Sequence, residues 1–120
     1  MLPHRYSLAQ EREFARVKKE GKTLQSESFG ASFIYEGENI PSRFGFIVSN
    51  KISKLAVERN RIKRAMKEGV RGMLEKVDFG FLAVFFAKPT ATKRTGEEIT
   101  NEVKEVITKI IFLLKQDFEF

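Results

Sequence analysis

The chain has no cysteine, and its single histidine, His4, lies close to the N-terminus. Without cysteine there are no disulfides and no thiolate metal sites, which agrees with a reducing compartment and leaves stability to packing alone. No stretch of about 18 apolar residues is present to span a bilayer, and residues 1–5 are not followed by the apolar segment of a signal peptide. The expectation is a cytoplasmic protein with no membrane partner. Walker loops, dinucleotide fingerprints and zinc spacings are also missing. Hydrolysis by protein side chains needs a general base, a nucleophile or a bound metal, and the candidates are few. His4 sits in a segment expected to fray, and Glu97-Glu98 suits the positive end of a helix better than it suits an acid–base pair. No catalytic and no metal-ligating residue is assigned, and the chain alone is not expected to be a catalyst.

Basic charge is plentiful but uneven. Of the 22 Lys and Arg residues against 16 Asp and Glu, nine basic and three acidic ones fall between Lys51 and Lys76. The whole net charge of +6 is therefore held in that segment, and the other residues are neutral in sum. A neutral body with one concentrated basic segment is the electrostatic pattern of a polyanion binder. A merely solvated helix face would mix its signs more evenly.

Local patterns give the element order. Ser7-Leu8-Ala9-Gln10 reads as a capping box and predicts a helix over about 8–20 that stops at Gly21. Lys22 to Gln25 suits a short extended piece. Ser28 to Tyr35 alternates with period two, which predicts a half-buried strand. The turn-rich 36–42 and the strand Arg43 to Ser49 then predict a hairpin with it. After Leu55 the period changes: Ile62, Ala65, Met66, Gly69, Val70 and Met73 share one side of a helix, while Asn60, Lys63, Arg64, Lys67 and Arg71 share the other. Phe79 to Ala87 is a nearly continuous apolar run, as in a strand covered on both faces, with a buried helix as the alternative that such a run leaves open. Thr95-Gly96-Glu97-Glu98 is a second capping box. It opens a helix whose stripe is Ile99, Val103, Val106, Ile107, Ile110, Ile111 and Leu114.

With no repeat and no long linker, residues 1–120 are expected to form one RNA-binding domain of the α+β class. The order α-β-β-β-α-β-α fits a two-layer α–β sandwich with a small mixed sheet.

The strongest constellation is Arg59-Asn60-Arg61-Ile62-Lys63-Arg64, continued by Lys67 and Arg71. Guanidinium forks meet phosphate oxygens bidentately, Asn60 can hydrogen-bond a base edge or ribose hydroxyl, and Ile62 anchors the helix inward. The segment from Ser53 to Arg64, centred on Arg59-Asn60-Arg61, resembles the signature of the bacterial ribonuclease P protein family. The likeness continues in Phe46-Ile47-Val48-Ser49-Asn50-Lys51, in Phe14 with Gly21, and in Ala87-Lys88-Pro89.

The resemblance implies a left-handed β-α-β crossover through the basic helix, against the general right-handed rule. It also implies a ribonucleoprotein that removes the 5′ leader of precursor tRNA, in which one protein joins one ribonuclease P RNA and magnesium ions are held mainly by that RNA. Arg59, Asn60, Arg61, Lys63, Arg64, Lys67 and Arg71 would then meet the catalytic RNA. Phe14, Lys18, Ser32 and Lys51 would line a leader cleft between the first helix and the sheet. Lys18 stands where the family often has an aromatic residue, Asn50 where a basic one is common, and Ser32 on a face that is more often bulky. Leader binding is therefore expected to lean on phosphate attraction more than on stacking. Two rival readings remain: a ribosome-associated or translational RNA-binding module, and a cationic membrane-surface helix. The second is disfavoured because the apolar side of the basic helix carries Ala65 and Gly69 and no Trp or Phe.

Overall fold

The computed structural model describes residues 2–8 and 10–118. The apolar run becomes strand β4, Gly80–Ala87, buried from Gly80 to Phe85. Three further strands, β1 (Lys22–Gln25), β2 (Phe29–Gly37) and β3 (Arg43–Ile47), complete one sheet of order β1-β2-β4-β3. The pairs β1–β2 and β2–β4 are antiparallel, and β3–β4 is parallel. The expected hairpin between β2 and β3 does not form, because β4 lies between them. A strand that is apolar on both sides gains most from a central place, where both ladder edges are paired and both faces are covered. Strand β2 also departs from expectation: Phe29 to Phe33 are all buried, so the strand is enclosed on both sides over that stretch and not half-buried.

Alternation along the strands sorts the side chains into two layers. On one face Phe29, Ala31, Phe33, Phe44, Phe81, Ala83 and Phe85 join the main core. That core is closed by helices α2 (Ala56–Arg71) and α3 (Gly96–Phe118), whose mutual packing is extensive. Aromatic rings meet edge to face there, Phe29 with Phe85 at 5.6 Å and Phe44 with Phe81 at 5.5 Å between centroids, an arrangement that suits their quadrupoles. On the other face a smaller cluster of Leu8, Val17, Leu82 and Val84 sits under helix α1, Glu11–Glu20. The sheet against α2 and α3 is the expected two-layer sandwich, and α1 adds partial cover on the opposite face.

The stripes read from the sequence are the buried ones. Ile62, Ala65, Met66, Gly69 and Val70 of α2, and Ile99, Val103, Val106, Ile107, Ile110 and Leu114 of α3, all lie inside; Met73 is buried just past the end of α2, and Ile111 is only half-buried against the core. The second capping box forms as expected: the Glu98 amide donates to Thr95 Oγ1 at 3.1 Å, and the Thr95 amide donates to Glu98 Oε1 at 2.9 Å. The first does not. Helix α1 begins three residues later than the Ser7 cap implies, with Gln10 at its N-cap; Ala9, within that box, lies outside the described residues. Ser7 instead forms a parallel bridge with Phe44, the Leu8 amide donates to the Phe44 carbonyl at 2.8 Å, and Leu8 is buried. Pairing with the outer edge of β3, together with burial of Leu8, outcompetes an extra turn of helix. The preceding residues His4–Tyr6 form a 3₁₀ turn closed by bonds from the Tyr6 and Ser7 amides to the Pro3 and His4 carbonyls.

Candidate nucleic-acid interface

Helix α1 packs on β2 and β4, and its position is set by apolar burial and two ion pairs. Val17 is fully buried against the small cluster, Glu13 pairs with Arg43 of β3, and Arg16 pairs with Glu36 of β2 at 2.8 Å. The Glu36 hydrogen bond raises the Arg16 guanidinium further above its ordinary pKa, so it stays charged. Phe14 is half-buried and its ring lies directly over Gly45; a Cβ there would meet ring carbons at 2.5 Å.

One turn further along α1, the Lys18 ammonium stands 5.6 Å from the centre of the Phe86 ring. Phe86 in turn lies over Gly30, where a Cβ would collide with the ring. Thr23 and Ser32 lie beyond on the same sheet face, sharing a hydrogen bond of 2.9 Å. These residues bring a cation, an aromatic ring and small polar groups together on the α1 face of the sheet. Of the expected leader residues, Phe14 and Lys18 lie on α1 over this face, and Ser32 is buried in the sheet beneath, with its hydroxyl already bonded to Thr23. Lys51 is exposed beyond the end of β3 and shares a hollow with Asn50, Lys54 and Arg59.

The basic helix does not present all its cations alike. Asn60 and Arg64 are exposed. Arg61 is half-buried and spent on structure: Nη1 donates to the Arg94 carbonyl at 2.9 Å and Nη2 to the Thr92 carbonyl at 3.5 Å, which ties α2 to the 3₁₀ turn Pro89–Lys93. Arg59 donates to the Ser53 carbonyl at 2.9 Å and braces the segment before the helix. Arg71 is exposed and paired with Glu68; this raises the arginine and holds the glutamate below the usual carboxylate range. Lys63 and Lys67 reach round the β3 edge into a groove lined also by Ser7, Leu8, Phe14, Phe44 and Gly45. The two surfaces drawn from the sequence are therefore joined twice, through Lys51 beside Arg59 and through Phe14 beside Lys63 and Lys67.

Sequence reasoning missed Phe86 and Lys54. In the sequence Phe86 reads as one more residue of a buried run. The period of two already sets it opposite Phe85, and the Lys88-Pro89 stop places it at the strand's open end. Among the described residues no group of three His, Asp or Glu is arranged to hold a metal ion. No helix among them is long and apolar enough to cross a membrane.

An α+β sheet carrying a basic helix, with an aromatic and cationic cleft on its other face, defines a small nucleic-acid-binding protein. Comparisons narrow this class. The family model described as Ribonuclease P matches residues 2–111. The chain is 36% identical over 106 residues to the ribonuclease P protein component of Clostridium kluyveri, covering 87% of this chain and 93% of that one. It is 29% identical over 109 residues to that of a Pseudanabaena species, covering 91% and 94%. Among solved structures, the Staphylococcus aureus RNase P protein superposes with a TM-score of 0.78 at 25% identity, over 88% of this chain and 94% of that one. The Thermotoga maritima RNase P protein gives 0.75 at 26%, over 86% and 96%. The chain belongs to the ribonuclease P protein family. It is thus a protein component of an endoribonuclease ribonucleoprotein with an RNA partner and a role in tRNA 5′ processing.

Proposed function

We propose that this chain works in the cytoplasm as one protein bound to one ribonuclease P RNA, and that its α1 cleft holds the 5′ leader of precursor tRNA while the RNA carries the catalytic centre. The observation that best supports the cleft is the pair of Lys18 and Phe86, a cation over an aromatic ring near the C-terminal end of the central strand β4. Such a pair suits a single strand, whose bases can stack and whose phosphates attract the ammonium. Asn60 and Arg64, with Lys63 and Lys67 beside them, supply the face for the catalytic RNA.

Magnesium ions, held mainly by the RNA, supply activation of water for phosphodiester hydrolysis. The protein's part is to place positive charge where RNA phosphates converge, which reduces the repulsion that divalent ions otherwise have to offset. The test is reconstitution: purified chain, transcribed bacterial ribonuclease P RNA and precursor tRNA at low magnesium, with cleavage at the mature 5′ end scored. RNA alone should be slow, protein alone inactive, and the mixture fast. Cleavage by RNA-free protein would overturn the assignment of catalysis to the RNA.

A further inference from the structure

Among the described residues Ile40, Leu55, Val57 and Phe112 are large apolar side chains that stand in water. Ile40 rests against Gly37 in its own turn, and Phe112 lies alone on the outer side of α3. Leu55 and Val57 are different. They are two residues apart at the start of α2, 67% and 79% exposed, and belong to neither core cluster. Packing gives no reason for them, and a β-branched residue at an exposed helical position is a poorer helix former than Lys or Glu.

Their setting is both held and charged. The Leu55 amide donates to Ser53 Oγ at 3.2 Å, and Arg59 donates to the Ser53 carbonyl, so the turn into α2 is bonded to the helix it precedes. Lys51 and Lys54 are exposed beside it. Two copies of this surface would repel each other. The complementary partner is anionic and also offers flat apolar faces, a combination that RNA shows where its bases are unpaired.

We propose that Leu55 and Val57 form an apolar step that receives the face of an unpaired base of the partner RNA, with the flanking phosphates drawn to Lys51 and Lys54. The proposal rests on the reading of α2 as the helix facing the catalytic RNA. It gives that helix a way to tell a loop or bulge from a duplex, whose stacked bases have no free face. Contact with a base releases no counterions, so the step adds affinity that salt does not remove.

The test uses the full chain and transcribed bacterial ribonuclease P RNA, titrated over a range of monovalent salt. The double variant Leu55→Gln/Val57→Gln should bind on the order of ten-fold more weakly at every salt concentration, with an unchanged slope of log K against log[salt]. Lys51→Gln/Lys54→Gln should instead make the slope shallower. Chemical probing of the RNA should show a nucleotide protected by the unaltered protein and exposed with the apolar double variant, while thermal melting of that variant stays unaltered. Equal affinity and an equal footprint for the double variant would overturn the proposal, as would loss of binding to anionic vesicles with RNA binding intact. Failure of the unaltered chain to bind this RNA at all would instead overturn the family-level reading on which the step depends.

Discussion

The Lys18 ammonium lies over the Phe86 ring at 5.6 Å, and so the aromatic plate of the cleft comes from the sheet while the helix contributes charge. In the proposed leader site, stacking would then come from the opposite wall to the one where the family resemblance looks for it. Phe86→Leu keeps an apolar side chain over Gly30 but removes the π-face, and base–aromatic stacking contributes about 1–3 kcal/mol. Affinity of the holoenzyme for precursor tRNA should fall accordingly, with mature tRNA little affected. Lys18→Ala should also weaken the leader-bearing substrate, with a shallower salt slope. Equal losses for both tRNAs would remove the cleft assignment.

Arg61 and Arg64 are nearly adjacent in sequence, yet their variants should fail in different assays. Arg61→Ala leaves the Arg94 carbonyl without its 2.9 Å partner, a loss of about 1–3 kcal/mol for a partly buried group. Its melting temperature should drop. Arg64→Ala removes an exposed cation and should melt within about 0.5 kcal/mol of the unaltered chain, while binding of ribonuclease P RNA weakens. A stable Arg61→Ala protein would show that the bonds to the Pro89–Lys93 turn are dispensable.

Lys63 and Lys67 sit where the two surfaces meet, beside Phe14. Each change to Gln should make the slope of log K against log[salt] shallower by about one unit. The effect should appear both when RNA is titrated with protein and when holoenzyme is titrated with precursor tRNA. A change confined to the first titration would mean that these lysines serve the catalytic RNA alone.

Glu98 gives a pH signature. Its carboxyl is held below the usual range first by the Thr95 backbone amide, then by the Thr95 side chain and by Arg94. A lowered folded pKa means that the stabilisation is present above the unfolded value and is lost as pH falls through the folded one. Glu98→Gln should therefore melt below the unaltered chain at neutral pH, and the two curves should converge in acid. A gap that stays constant across that range would show that the cap works without its charge.

How much of this was legible beforehand depends on the reach of each signal. The α2 and α3 stripes, the Thr95 capping box and the enclosed character of β4 are local, repeated at spacings of three, four or two, and all appear as read. Placing β4 between β2 and β3 is a choice among pairings that no local pattern encodes, since adjacent strands in sequence ordinarily pair. Ser7 carries the right letters for a cap, but its bridge to Phe44 depends on an edge brought near by the rest of the fold. The Arg59-Asn60-Arg61 motif marks a region of basic residues without distinguishing their surroundings. Only the packed structure separates Arg61, which bonds two carbonyls, from Arg64, which faces water.

The parallel pairing of β3 with β4 also orders events during synthesis. β1 and β2 leave the ribosome early and can zip together as neighbours, but β3 emerges before the strand it must join, and α2 emerges between them. Until β4 follows, β3 has an unmatched edge, and until α3 follows, the Ile62–Met66–Val70 side of α2 lacks the helix it chiefly packs against. The most cationic segment of the chain is thus made while its fold is incomplete, and its burial waits for the last element to emerge.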